Sequence, residues 1–107
     1  MATLSTHVLD TALGKPASGI TVALERDGKS LGQGITDTDG RVRDWGTAAA
    51  MTPGAYRLVF SVGEYFAGQG TPAFYSTITI DFIVRDATHY HVPLLLSPFG
   101  YSTYRGS

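Results

Sequence analysis

The chain has 107 residues, 43% of them hydrophobic, with eight Lys plus Arg against nine Asp plus Glu and no cysteine. That length suits a single domain, 1–107, with one core, and the near-balanced charge gives no electrostatic basis for binding nucleic acid or an anionic membrane. Lack of cysteine excludes a disulfide framework, a zinc ribbon and a thiol nucleophile; with no basic, apolar leader at Met1-Ala2-Thr3-Leu4 and no run approaching the roughly 20 apolar residues of a membrane span, a cytoplasmic protein is expected.

Short β-type segments alternate with turn signals along the whole chain, which predicts an all-β, two-sheet sandwich of about eight strands. The first strand runs from Leu4 to Asp10, with Leu4, Thr6 and Val8 on one side and Ser5, His7 and Leu9 on the other. Gly14-Lys15-Pro16 reads as a loop, Ile20 to Arg26 as a strand, Asp27-Gly28 as a turn and Leu31 to Thr36 as a strand. After the Asp37-Thr38-Asp39-Gly40 turn, Arg41 to Trp45 reads as a further strand. A brief helical turn is expected at Ala48 to Met51, with Thr47 as cap and Pro53 as stop. Ala55 to Val62 is the next strand, followed by one short helical turn, Glu64 to Ala67, between Gly63 and Gly68. Thr77 to Arg85 places Ile78, Ile80, Phe82 and Val84 in one apolar row, with polar Thr77, Thr79, Asp81 and Arg85 on the other side. His89 to Leu96 places Tyr90, Val92 and Leu94 on one side and His89, His91, Pro93 and Leu95 on the other. Tyr101 to Tyr104 completes the set, and the strand-like tail to Ser107 is expected to be packed. Both histidine-bearing faces mix histidine with leucine, so each is expected to be covered by another subunit or by a ligand.

His7, His89 and His91 are the only side chains with an unperturbed pKa, about 6.5, suited to proton transfer near neutrality. His89 and His91 project from one strand face and, with His7, form an alternative zinc ligand set, although the sequence shows no carboxylate near the pair to orient the rings. Asp37 to Arg41 fails as a calcium loop, because Val42 and Ala48 fall where glycine and glutamate belong. Gly100-Tyr101-Ser102-Thr103-Tyr104 lacks the closing glycine of a nucleophile elbow, and no phosphate-binding loop occurs. Trp45, Tyr65, Phe66, Phe74 and Tyr75 read as packing residues. On residue chemistry alone, Arg41 reads as a surface charge next to a turn.

Leu4-Ser5-Thr6-His7-Val8-Leu9-Asp10, Gly14-Lys15-Pro16-Ala17, Asp39-Gly40-Arg41 and His89-Tyr90-His91-Val92-Pro93-Leu94-Leu95-Leu96-Ser97, closing on Tyr104-Arg105-Gly106-Ser107, resemble the 5-hydroxyisourate hydrolases, the enzyme branch of the transthyretin-like family. The resemblance spans essentially the whole chain, and the terminal Tyr-Arg-Gly-Ser is its most specific motif. It implies a transthyretin-like sandwich assembled as a homotetramer, with active sites in clefts at the dimer–dimer interface and no metal or organic cofactor. The implied reaction opens a ring amide of 5-hydroxyisourate, a purine-derived small molecule, to 2-oxo-4-hydroxy-4-carboxy-5-ureidoimidazoline. The resemblance carries the catalytic roles to His7, His91 and Arg41, and substrate binding to His7, Arg41, Tyr104 and Ser107; His89 receives no role. Amide hydrolysis needs an activated water, a proton donor and oxyanion stabilisation, which two histidines and an arginine supply. A transthyretin-like carrier without turnover and a histidine-ligated zinc hydrolase are the competing functions.

Overall fold

The structure is a computed structural model that describes residues 2–46 and 51–107. Among the described residues, eight strands and one helix follow in the order β1 (Thr3–Asp10), β2 (Lys15–Pro16), β3 (Thr21–Arg26), β4 (Lys29–Ile35), β5 (Gly54–Phe60), α1 (Val62–Gly68), β6 (Ile78–Val84), β7 (His89–Ser97) and β8 (Gly100–Thr103). They form two four-stranded sheets, β2-β1-β7-β8 and β4-β3-β5-β6. The expected sandwich with one short helix is therefore what forms. The helical turn expected at Ala48 to Met51 lies almost wholly outside the described residues.

Alternation decides what the sandwich encloses. On β1, Thr6, Val8 and Asp10 are buried, and on β7 so are Tyr90, Val92, Leu94 and Leu96. The opposing sheet supplies Val22, Leu24, Leu58, Phe60, Ile78, Ile80 and Val84. Complete burial of one such aliphatic or aromatic side chain contributes about 1.5 to 3 kcal/mol, so this layer is the main source of cohesion. Thr6 is tolerated inside because its hydroxyl donates to the Val92 carbonyl at 2.7 Å, which removes the penalty for an unpaired buried polar group. Buried Asp10 accepts from the Ala12 and Leu13 amides at 3.0 Å each and from the Tyr65 hydroxyl at 2.6 Å. It thereby fastens the turn after β1 to α1. The Tyr65 hydroxyl is pushed up to about 12, by burial first and then by its bond to Asp10.

Three strand assignments differ from expectation. Lys15–Pro16, read as loop, pairs with Leu9 and Asp10, a ladder too short to leave a periodic signal. β4 begins at Lys29 rather than Leu31 because Asp27 and Gly28 both take positive φ, 53° and 76°. That is the tight two-residue turn whose twist matches its flanking strands, so pairing resumes at once, at Arg26↔Lys29. Arg41 to Trp45 is not a strand. Only Arg41 of this segment makes a bridge, to His7; beyond it the chain passes close against Gly34 of β4, where a Cβ would meet Val42 and the Asp44 carbonyl, without forming a ladder.

β1 and β7 run parallel and in full register, from Thr3↔His89 to Asp10↔Leu96. Parallel neighbours must be joined by a long connection, and here the other five β-strands before β7 and the helix lie between them. The register sets Ser5 beside His91 and His7 beside Pro93. All the odd-numbered residues of both strands therefore share the outward face.

Candidate active site

Four pieces of chain meet on that outward face: β1, β7, the turn before Arg41 and the tail after β8. His7 and His91 are both half-buried there, as the strand periodicity predicted. Arg41 reaches the same place through the turn. The Asp37 carboxylate accepts from the Asp39 and Arg41 amides at 2.9 and 3.1 Å, and the Gly40 carbonyl accepts from the Val8 amide at 2.8 Å. Gly40 has φ +75°, and a Cβ there would lie 2.4 Å from the Val8 carbonyl oxygen. Only glycine satisfies both conditions, and that contact lets Arg41 bridge to His7.

The charges around this turn are sorted. Arg43 takes Asp37 at 2.7 Å and Asp39 at 3.1 Å, which holds the Asp37 carboxyl below its usual range, with the Arg43 hydrogen bond as the largest cause. Among the described residues, no carboxylate pairs with Arg41. An arginine beside two histidines with no carboxylate to neutralise it makes a cationic face suited to an electron-rich or anionic ligand.

His91 is held on several sides. Its Nδ1 is hydrogen-bonded to Ser5 Oγ at 2.6 Å. Its backbone carbonyl accepts from the Gly106 amide at 2.9 Å, and the tail backbone passes so close that a Cβ on Gly106 would meet the ring Cδ2 at 2.4 Å. Burial lowers its pKa below the ordinary 6.5, and Arg41, His7 and His89 add to this through their charges, while a hydrogen bond with the Ser5 backbone opposes it. His91 is therefore neutral near pH 7, the form that accepts a proton.

The tail owes its course to Pro93 and Arg105. The β7–β8 ladder stops at Leu94↔Thr103, one residue before Pro93, which has no N–H to offer. The Thr103 hydroxyl donates to the Pro93 carbonyl at 2.7 Å instead, and backbone pairing resumes at His91↔Gly106. Arg105 stacks over the Tyr90 ring at 4.3 Å, a cation–π contact that ties the tail to the sandwich. Tyr104 and His91 line a cleft of about 170 Å³ at the sandwich margin, together with Tyr90, Thr103 and Arg105. His7 and Arg41 are not part of that cleft. Ser107, exposed, follows Gly106 directly.

His7, Arg41 and His91 are thus brought together, while Tyr104 lines the cleft that only His91 of the three shares, and Ser107 is exposed at the end of the tail. The three histidines do not form a metal centre. Among the described residues, no three His, Cys, Asp or Glu side chains converge to hold an ion. Both ring nitrogens of His89 are bonded to hydroxyls, Thr3 Oγ1 at 2.6 Å and Ser5 Oγ at 2.7 Å. The sequence named His89 without giving it a role and held Ser5 and Gly106 only within longer motifs, because their contacts around His91 depend on the β1–β7 register and on the path of the tail.

Known proteins carry the same architecture. A 5-hydroxyisourate hydrolase from Mesorhizobium japonicum is 52% identical over 97% of this chain and 91% of its own length. The solved structure of Klebsiella pneumoniae 5-hydroxyisourate hydrolase superposes with a TM-score of 0.91 at 42% identity, covering 100% of this chain and 94% of that one. Sea bream transthyretin, solved in complex with thyroxine, superposes with a TM-score of 0.87 at 29% identity over 96% of this chain and 93% of its own. The family model described as the HIUase/Transthyretin family matches residues 4–106. With both sheets, the histidine-bearing strands and the closing tail inside that span, the chain belongs to the HIUase/Transthyretin family.

Proposed function

We propose that residues 1–107 act as a single-domain 5-hydroxyisourate hydrolase, opening a ring amide of that purine-derived substrate by attack of water. The observation that carries this reading is the junction on one face of neutral His91, His7 and an arginine that no carboxylate pairs among the described residues. The near full-length identity to proteins named for this activity supports it.

Each group has a task that its setting suits. His91, kept neutral, takes a proton from the attacking water and later supplies one to the ring nitrogen as the C–N bond breaks. His7 lies on the same face and shares the orientation of water and substrate. Arg41 holds the oxygen on which negative charge develops, the kind of electrostatic stabilisation that gives acyl-transfer enzymes much of their rate. Tyr104 and Ser107 bind the ring from the tail. No group in this scheme needs a metal or organic cofactor.

The outward face also carries apolar Leu9 and Leu95, which lie side by side in the register. A second copy of the chain would cover this face, and a homotetramer with sites at the dimer–dimer interface satisfies that requirement. Sedimentation at micromolar concentration tests it, and a strict monomer would count against it.

The activity is tested by forming 5-hydroxyisourate from urate in situ and following its decay with and without the protein. Acceleration is expected. No acceleration at stoichiometric protein would sink the reading and leave a ligand carrier in its place. Removing one positioned acid or base costs roughly 10² to 10⁴ in rate, so His7→Ala and His91→Ala should each lose activity in that range.

A further inference from the structure

Four side chains stand in an unbroken hydrogen-bonded line along the outward face. Thr3 Oγ1 bonds His89 Nδ1 at 2.6 Å, His89 Nε2 bonds Ser5 Oγ at 2.7 Å, and Ser5 Oγ bonds His91 Nδ1 at 2.6 Å. The parallel register creates this line by placing Thr3 beside His89 and Ser5 beside His91. His91, at one end, is half-buried, while Thr3 and His89, at the other, are exposed. Nothing in the scheme above uses Thr3, Ser5 or His89.

We propose that Ser5 and His89, with Thr3 behind them, form a proton relay that sets the tautomer of His91 and connects it to solvent. The proposal rests on the hydrolase reading. A serine hydroxyl has one proton, so Ser5 donates to one ring and accepts from the other. A neutral imidazole has one N–H and one bare nitrogen. These two facts leave two self-consistent arrangements of the line. In the first, His91 Nδ1–H donates to Ser5, Ser5 donates to His89 Nε2, and His89 Nδ1–H donates to Thr3. His91 Nε2 is then bare and acts as a base. In the second, every bond is reversed, and His91 Nε2 carries the proton of an acid.

One turnover runs the line forwards and then back. The attacking water bonds through oxygen to the amide carbon and gives one proton to His91 Nε2. The Nδ1 proton passes to Ser5, the Ser5 proton to His89 Nε2, the His89 Nδ1 proton to Thr3, and the Thr3 proton to bulk water. His91 remains neutral throughout and is now an acid. As the C–N bond breaks, the ring nitrogen takes the Nε2 proton, and a proton from bulk returns through Thr3, His89 and Ser5 to Nδ1. The carboxylic acid product ionises, so the net change is one water consumed and one proton released. Staying neutral matters because Arg41, His7 and His89 all oppose a positive charge on His91, and Arg105 sits within 3.5 Å of the His89 carbonyl.

Ser5 and His89 are positioning residues, acting through His91. The test compares Ser5→Ala, Ser5→Thr and His89→Ala with wild type, measuring kcat, KM and pH profile. Loss of an orienting partner of a functional histidine typically costs about 10- to 100-fold, so kcat of Ser5→Ala and His89→Ala should fall by that much with KM nearly unchanged. Ser5→Thr keeps the hydroxyl and should restore most of the rate. Imidazole in the buffer should raise kcat of His89→Ala, whose lost side chain is exposed, in a concentration-dependent way. Wild-type kcat and pH profile in Ser5→Ala or His89→Ala would overturn the relay, as would failure of imidazole to help. Nitrogen-15 shifts of the His91 ring give a readout that needs no turnover: Ser5→Ala must redistribute its tautomers, and an unchanged ring overturns the relay. If wild type itself shows no turnover while the ring responds to Ser5→Ala, the hydrolase reading fails but the line of bonds stands.

Discussion

Adding one methyl group at Gly106 should switch the enzyme off while leaving the sandwich folded. The residue lies opposite His91, and its Cβ would stand 2.4 Å from the ring Cδ2, 3.2 Å from Cγ and 3.4 Å from Pro93 Cγ. Ordinary contact begins near 3.4 Å, so ring and tail must separate by about 1 Å. The ring has little freedom, because Ser5 holds Nδ1 at 2.6 Å. If the ring moves, that bond breaks and Nε2 swings off its target. If the tail lifts, the Gly106 amide loses its 2.9 Å bond to the His91 carbonyl, worth about 1 kcal/mol, and Tyr104 and Ser107 leave with it. A misplacement of about 1 Å can cost about 10² in rate, so Gly106→Ala should fall about 100-fold in kcat/KM. The assay is decay of 5-hydroxyisourate generated in situ, with a thermal melt beside it. The melt should move little, since the tail is largely exposed and adds little to the core. A Gly106→Ala protein that melts like wild type and keeps more than half its activity would refute the argument.

Arg41→Lys should lower kcat/KM by roughly 10- to 100-fold, because a point charge replaces a planar fork whose charged hydrogen bonds are each worth about 1.5 to 3 kcal/mol; unchanged steady-state kinetics would remove Arg41 from oxyanion binding. Asp10→Ala leaves the Tyr65 hydroxyl and two amides without their acceptor, and urea denaturation should show a loss of about 2 to 4 kcal/mol. Because the folded pKa of His91 lies below 6.5, the unfolded chain binds a proton there first on acidification. The contribution of His91 to stability is therefore complete above 6.5 and is lost as pH falls through the folded value. Wild type should lose more stability than His91→Gln between pH 7.5 and pH 5, and equal losses would contradict the shift. The acid limb of turnover should likewise sit below the ordinary imidazole value in a pH–rate profile.

The sandwich was legible because alternation is a local signal: Ile78, Ile80 and Val84 proved buried and Thr79 and Asp81 exposed, as their period requires. Pairing was less legible, since it depends on which edges remain free. Lys15–Pro16 has too few residues to show a period, and Arg41 to Trp45 resembles a strand locally yet pairs only at Arg41. At the site, residue chemistry pointed to His7, His89 and His91 alike, and the resemblance narrowed these to His7 and His91 and pointed to the tail. Arg41 was recognised only by family resemblance, because nothing in Asp39-Gly40-Arg41 says that the Gly40 backbone will press on Val8. His89 looked idle for a similar reason: two bonds to hydroxyls on β1 exist only in one parallel register, and one sequence does not state a register.

The pairing of β1 with β7 also governs how the molecule is made. Synthesis delivers β1 first and β7 almost last, with hydrogen-bonded partners such as Thr6 and Val92 separated by 86 positions. Contacts this distant carry a large loop-closure cost and slow the folding of β proteins. Until β7 emerges, β1 presents an unpaired edge and an apolar face, the conditions under which nascent chains associate wrongly. The same closure that completes the face bearing His7 and His91 depends on the last strands to be made, so conditions that delay it should reduce the yield of soluble protein and its activity together.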